Sequence, residues 1–447
     1  MKTALATTTL ALAAGLCSSA FAQDLTSRPA PPAGSVIIYD ATIHTITGDT
    51  IGQGFVEISA GKITRVERGD PPADAPGQRV RATGQHVYPG LIAPLTRLGL
   101  AEIQAVRASD DFNEAGNITP EVRAATAVNP DSTFLPVTRT NGILIAGTLP
   151  TGGLFPGQAS VIALNGWTSE QMTIAPTWGQ VIAWPTMRVI KAWWMDKSEE
   201  DQLRDIRTRL EQIRTTLTTA RSYARLKAAE PGTPTDLRYE ALAKALPGPN
   251  GEKPAVPVLI EAQEYDQITS AIAMASEFGV RPIILGGRDA PLCAELLKKH
   301  DIPVIVDGVH ALPRRDDAAY DDNFTLPARL NAAGVRIAIA SGEETAHERN
   351  LPYVVARACA HGLPHDVAIK SVTIEAAKIM GVADRLGSIE VGKDATLIIT
   401  TGDPLEVDVH VTGAWIGGVP VDLSNKQSVL AERYREKYRQ SKVKNEK

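Results

Sequence analysis

The sequence predicts an α/β protein built on a TIM-like (β/α)8 barrel, with a smaller β domain beside it. Three observations carry that reading. Short apolar runs alternate with helical stretches from Pro257 to His361, which is the pattern of parallel βα units. Half-polar strands lie between Val36 and Val66, and strand-like sequence returns between Gly387 and Val421. The chain has 447 residues, too many for one ordinary core and suited to one large domain plus a small one. Periodicity alone leaves an open doubly wound sheet as the alternative, and chain length favours the closed barrel.

The formal net charge is −5, with no basic stripe along the chain. A nucleic-acid binder usually carries one, so that class is set aside. No G-x-G-x-x-G or P-loop pattern opens any of the expected helices.

Residues 1–22 read as a signal peptide. Lys2 starts it, Ala4 to Leu16 is an apolar run, and Ala20-Phe21-Ala22 is a cleavage site. The run is too short to span a membrane. The expected product is periplasmic or secreted, cleaved after Ala22. Such a compartment permits a disulfide between Cys293 and Cys359, although two free thiols are the reading preferred.

Residues 23–35 form a Pro- and Ala-rich linker. Val36 to Ile43, Gly54 to Ile58 and Ile63 to Val66 follow as strands, with Gly61-Lys62 as a turn. The first half of the β domain covers 36–88. The barrel covers 89–384 and opens on Pro89-Gly90-Leu91-Ile92. Asn141-Gly142 feeds the buried run Ile143 to Ala146, and Asn165-Gly166 marks a hairpin. Residues 187–246 are a helical insertion, in which Leu203, Ile206, Leu210, Ile213 and Leu217 make one apolar seam. Strands are then expected at Pro257–Ile260, Pro282–Leu285, Pro303–Val306 and Ile337–Ala340. Ser371 to Gly381 reads as one helix. The second half of the β domain covers 385–423, and a charged tail covers 424–447.

Three motifs resemble the amidohydrolase superfamily, and within it the imidazolonepropionase-like branch. They are Thr373-x-x-Ala-Ala-Lys-Ile-x-Gly381, the run Gly387-Ser-Ile-Glu-x-Gly-Lys-Asp-Ala395, and Pro89-Gly90-Leu91-Ile92. Gly54 to Val66 is similar to that family's N-terminal strand pair. The resemblance spans about residues 35–423. It implies that both chain ends build one β-sandwich domain beside the barrel. It also implies a metal-activated water attacking C–N bonds. The metal would be held by a His-x-His pair on strand one, histidines after strands five and six, and an aspartate after strand eight.

This chain departs from that pattern. The His-x-His positions are Leu95 and Arg97, and the acidic residue before them is Ala93. The strand-five position falls at or beside Glu261, strand six at Leu285-Gly286-Gly287, and strand eight at Gly342, between Ser341 and Glu343. No metal ligand set is expected, because a site needs three or more converging donors and Arg97 is a permanent cation.

The pocket is expected at the C-terminal face. Its substrate-binding residues are Arg97, Thr148, Glu261 and Arg288, with Arg97 and Glu261 paired where the metal would lie. The catalytic candidates are His310, Glu343 and Asp307, of which His310 reads more readily as a loop histidine. His347 with Glu343 and Glu344 is a weaker metal candidate. The function expected first is a non-catalytic, ligand-binding or partner-supporting amidohydrolase homologue with no cofactor. The alternatives are an active C–N hydrolase using zinc on atypical ligands, and a structural assembly subunit. A small-molecule ligand is the expected partner. A homo-oligomer or assembly with an intact family member is the other, with no nucleic acid and no membrane span.

Overall fold

The structure is a computed structural model that describes residues 24, 26–32, 34–103, 106–342 and 344–445. The expected signal peptide lies outside the described residues, and so does Glu343. Among the described residues no helix is long and apolar enough to cross a membrane.

The N-terminal strands are β1 (Val36–His44), β2 (Thr50–Ser59), β3 (Lys62–Arg68), β4 (Gln78–Arg81) and β5 (His86–Pro89). The β2–β3 hairpin turns on Ala60 and Gly61, both at positive φ (50° and 79°). That mirror-image turn matches the natural twist of paired strands. A Cβ at Gly61 would lie 2.9 Å from the Gly417 carbonyl, so the turn also lets the C-terminal segment approach.

The barrel strands are β6 (Leu91–Thr96), β7 (Ile143–Thr148), β8 (Gly157–Ala163), β9 (Thr173–Ala183), β10 (Val258–Ala262), β11 (Pro282–Gly286), β12 (Val304–Val306) and β13 (Ile337–Ile339). They neighbour one another in sequence order, and β13 returns to β6, which nearly closes the sheet. Pairing is parallel except at β8, which runs antiparallel to both β7 and β9. The barrel is therefore TIM-like, but a β7–β8–β9 meander replaces part of the expected βα repeat. A hairpin needs only a short connection where a parallel crossover needs a long one, and only residues 164–172, with the short helix Ser169–Met172, lie between β8 and β9.

The remaining strands are β14 (Leu397–Thr400), β15 (Val411–Ile416) and β16 (Val419–Pro420). β14 pairs antiparallel with β5, so both chain ends share one hydrogen-bonded sheet, ordered β16-β15-β14-β5-β1-β2-β3 with β4 on β1. This sheet has its own core, including Ile38, Val56, Val87, Leu397 and Trp415. The chain then passes from β5 to β6 through Gly90, where a Cβ would meet Leu144 at 2.8 Å. One stretch thus belongs to both units, which sets the sheet against the barrel.

The insertion is the helix Glu199–Ala229, capped by Ser198, followed by Leu237–Ala243. Only the later part of its expected seam is buried. Ile213 and Leu217 are in the core, whereas Leu203 is exposed. Helical period marks a face, but burial needs a neighbour, and the helix outruns the barrel at its N-terminal end. The helix expected over Ser371–Gly381 is shorter, Ile374–Ile379, and Ser371 instead ends the preceding helix His365–Ser371. Cys293 and Cys359 are both free thiols.

Candidate functional site

A cavity of about 560 Å³ opens at the C-terminal ends of the parallel strands. Arg97 follows β6, Leu149 and Thr151 follow β7, and Trp184 follows β9. Glu261 and Ala262 close β10, with Gln263 after it. Asp307 follows β12, and Gly342, Glu344 and Thr345 follow β13. A TIM-like barrel concentrates chemistry at this face. A cavity of similar volume lies at the opposite, N-terminal ends beside Arg281, Ile302 and Pro303, where barrel residues serve stability.

Glu261, Asp307 and Glu344 bring carboxyls to the lining of the C-terminal cavity. Burial pushes Glu261 above the usual carboxylate range, Arg97 draws it back, and Asp307 pushes it further up. Burial also raises Asp307, against the Gly308 N–H and the charge of Arg97. The carboxyl of Glu261 has no hydrogen bond or ion pair among the described residues. Its backbone carbonyl accepts from the Trp184 N–H at 3.2 Å, which sets the indole beside it.

The expected contact between Arg97 and Glu261 is not formed. The Arg97 guanidinium lies over the Phe112 ring, 4.5 Å from its centroid, and is exposed. Moving it against Glu261 would desolvate a cation, whereas the aromatic face at the rim keeps it hydrated. Thr148 is buried and outside the cavity. Its hydroxyl donates to the Leu98 carbonyl at 3.1 Å, holding the loop that carries Arg97. Arg288 donates to Glu264 at 3.3 Å and does not reach the cavity. His310 is exposed on the loop after β12, outside the cavity lining.

Sequence reasoning missed Trp184 and Gln263. The apolar run Val181-Ile182-Ala183 before Trp184 was a usable strand signal. Gln263 stands two residues past Glu261, hence on the same side of an extended chain.

Two of the positions that the resemblance assigns to metal ligands are glycines on left-handed backbone, and at Gly342 the Cβ direction is also blocked by backbone. Gly286 has φ 98°, and a Cβ there would sit 2.1 Å from Gln263 Nε2. Gly342 has φ 66°, and a Cβ there would sit 2.3 Å from the Gly308 nitrogen and 2.7 Å from Asp307 Oδ1. With Leu95 on β6 and Arg97 just after it, these residues do not fit a divalent metal. Among the described residues no group of three or more His, Cys, Asp or Glu side chains could hold one.

A model of the amidohydrolase family matches residues 266–421. The amidohydrolase from Thermotoga maritima MSB8 superposes with a TM-score of 0.75 at 26% identity, covering 86% of this chain and 99% of that one. Sequence and structure together support the amidohydrolase superfamily for this chain. Amidohydrolase tasK of Hapsidospora irregularis is 22% identical over 405 residues, which is 82% of this chain. The chain spans only 39% of that relative's length. A Xaa-Pro dipeptidase with bound methionine shares the fold, with a TM-score of 0.53 and 14% identity over 87% of this chain and 100% of that one. Amidohydrolases are usually metal-dependent, which makes the left-handed glycines Gly286 and Gly342 the main departure here.

Proposed function

We propose that this chain is an exported amidohydrolase homologue, of the imidazolonepropionase-like branch, that binds a small molecule at the barrel mouth without a metal. The observation that carries the reading is Gly342. The backbone there is left-handed, and its Cβ direction is filled by Gly308 and Asp307. A metal-binding aspartate at that position would need the β12 and β13 loops to move apart. The cavity is within the volume range of small-molecule sites.

The test has two arms on purified full-length protein. One assays hydrolysis of dipeptides and cyclic amides with and without added zinc. The other screens small molecules by thermal shift. Ligand-dependent stabilisation without zinc-dependent turnover supports the reading, and zinc-dependent turnover contradicts it. Export is tested by cell fractionation and by sequencing the mature N-terminus, expected at Gln23.

A second reading is support of an intact family member. It draws on the relative tasK, which extends well beyond the region this chain matches. Co-purification with a metal-bearing amidohydrolase would favour it.

A further inference from the structure

Two surfaces far from the barrel mouth stand in water with complementary chemistry. The first is the loop that leads into the insertion helix. Gln202, in the first turn of that helix, accepts from the Ile190 N–H at 2.9 Å and donates to the Ile190 and Lys197 carbonyls, each at 3.1 Å. Lys191 pairs with Glu199 at 2.7 Å, and Lys197 pairs with Asp205. The loop is thereby pinned to the helix. Trp193 on it is nevertheless 96% exposed, and Trp194 and the helix residue Leu203 are exposed too. Single apolar residues on a surface are ordinary, but adjacent exposed tryptophans on a held loop have the composition of an interface hot spot. Their surroundings are acidic. Residues 191–205 hold five Asp and Glu against three Lys and Arg. The three cations pair with Glu199, Asp205 and Asp201, which leaves Asp196 and Glu200 without an ion pair among the described residues.

The second surface is the C-terminal helix Lys426–Asn445. From Lys426 to Ser441 every residue is exposed except the half-buried Glu436. Helices in proteins draw most of their stability from packing, and this one has almost none. Leu430, Tyr434 and Tyr438 recur every fourth residue and so share a face. Residues 426–441 carry five Lys and Arg against two Glu, on a chain whose net charge is −5. Arg435 and Arg439 pair with those two glutamates. Arg433 has no ion pair among the described residues, and Lys437 lies over the Tyr434 ring, 5.6 Å from its centroid.

We propose that the C-terminal helix of one copy docks on the tryptophan loop of a second copy, and reciprocally, so that the chain forms a two-fold dimer. The Leu430, Tyr434 and Tyr438 stripe covers Trp193 and Trp194, and Arg433 and Lys437 face Asp196 and Glu200. The two surfaces do not meet within one copy, since both are exposed there. An anionic bilayer also suits tryptophan, but the carboxyls beside Trp193 and Trp194 would be repelled by it, whereas a basic helix is attracted. A stable interface buries about 1,600 Å² in total, and one tryptophan offers about 150–250 Å². One helix on one loop is small by that measure, and the symmetric exchange doubles it. The dimer is independent of what the barrel mouth binds.

The test is sedimentation velocity of the purified protein at micromolar concentration. The parent is expected at twice the monomer mass, with dissociation rising as sodium chloride is added. Trp193→Ser with Trp194→Ser, and separately Tyr434→Ser with Tyr438→Ser, should each weaken the dimer about ten-fold or more. Arg433→Glu with Lys437→Glu should weaken it as well, and so should Asp196→Lys with Glu200→Lys. Combining the two charge reversals in one chain should restore it, which a merely misfolded variant would not show. Thermal unfolding of each variant verifies the fold. A monomeric parent, a dimer indifferent to both aromatic pairs of substitutions, or a charge swap that fails to restore association overturns the proposal. Binding of the monomer to phosphatidylglycerol vesicles that is lost with Trp193→Ser and Trp194→Ser assigns the loop to a bilayer and also overturns it.

Discussion

Arg97 lies over the ring of Phe112, with its guanidinium carbon 4.5 Å from the ring centroid. It is thereby held near two half-buried carboxyls without contacting them, and its charge lowers the pKa of both. Arg97→Met should raise the titration of Glu261 and Asp307 further above the usual range. The infrared carbonyl stretch of the protonated carboxyls, followed against pH, reads this directly. The lost ring contact should cost about 0.5–1 kcal/mol, as at other exposed sites.

The same two carboxyls make a pH-dependent contribution to stability. Their folded-state pKa values are raised, so the favourable contribution is present below the unfolded pKa and is lost as pH rises through the folded one. Glu261→Gln and Asp307→Asn should therefore raise Tm at pH 8 and leave it nearly unchanged near pH 4. Differential scanning fluorimetry across that range checks the sign. An equal or larger gain at acid pH would mean that the carboxyls are satisfied when ionised.

A separate group works in the opposite sense at the junction of the two units. His44 Nε2 and His86 Nδ1 are 2.9 Å apart, and His44 stacks on Tyr88 with centroids 4.0 Å apart. Asp403, paired with His365, also acts on His44. Burial, then the neighbouring His86, lowers His44 from 6.5 to about 4. Its neutral form is favoured by folding, so stability is full above about pH 6.5 and falls as pH drops toward 4. His44→Asn should flatten that decline in urea midpoints measured between those pH values. The partial exposure of His44 makes the effect smaller than a fully buried group would show.

Restoring an acid at Gly342 should not restore a metal site. Gly342→Asp places a side chain on left-handed backbone and drives its Cβ into Gly308. The expected cost is about 2 kcal/mol or more, from strain and steric overlap together. Urea denaturation gives the value, and a variant as stable as the parent would show that the β13 loop opens freely.

Much of this architecture was legible because apolar periodicity is local. The four apolar runs from Pro257 to Ala340 became β10 to β13, and Asn165-Gly166 lies between the antiparallel β8 and β9. The reversed β8 was not legible as part of the barrel, since strand direction is set by a distant partner. At the site, the absence of a ligand side chain at Leu95 and Arg97 could be read from identity alone. The approach of Gln263 to Gly286, and the closure of Gly342 by Gly308 and Asp307, could not. Each joins residues on different strands, and a glycine's φ leaves no mark in the letters. The Arg97–Glu261 pairing failed for a related reason, because Phe112, which captures the guanidinium, arrives from an irregular loop.

The central proposal is that the barrel mouth works without a divalent metal. The most direct measurement is metal content by inductively coupled plasma mass spectrometry, on full-length protein purified without chelator, loaded with zinc and then desalted. The account predicts zinc well below stoichiometric and unchanged in Glu261→Gln. Stoichiometric zinc that is lost in that variant, or on treatment with chelator, would contradict it.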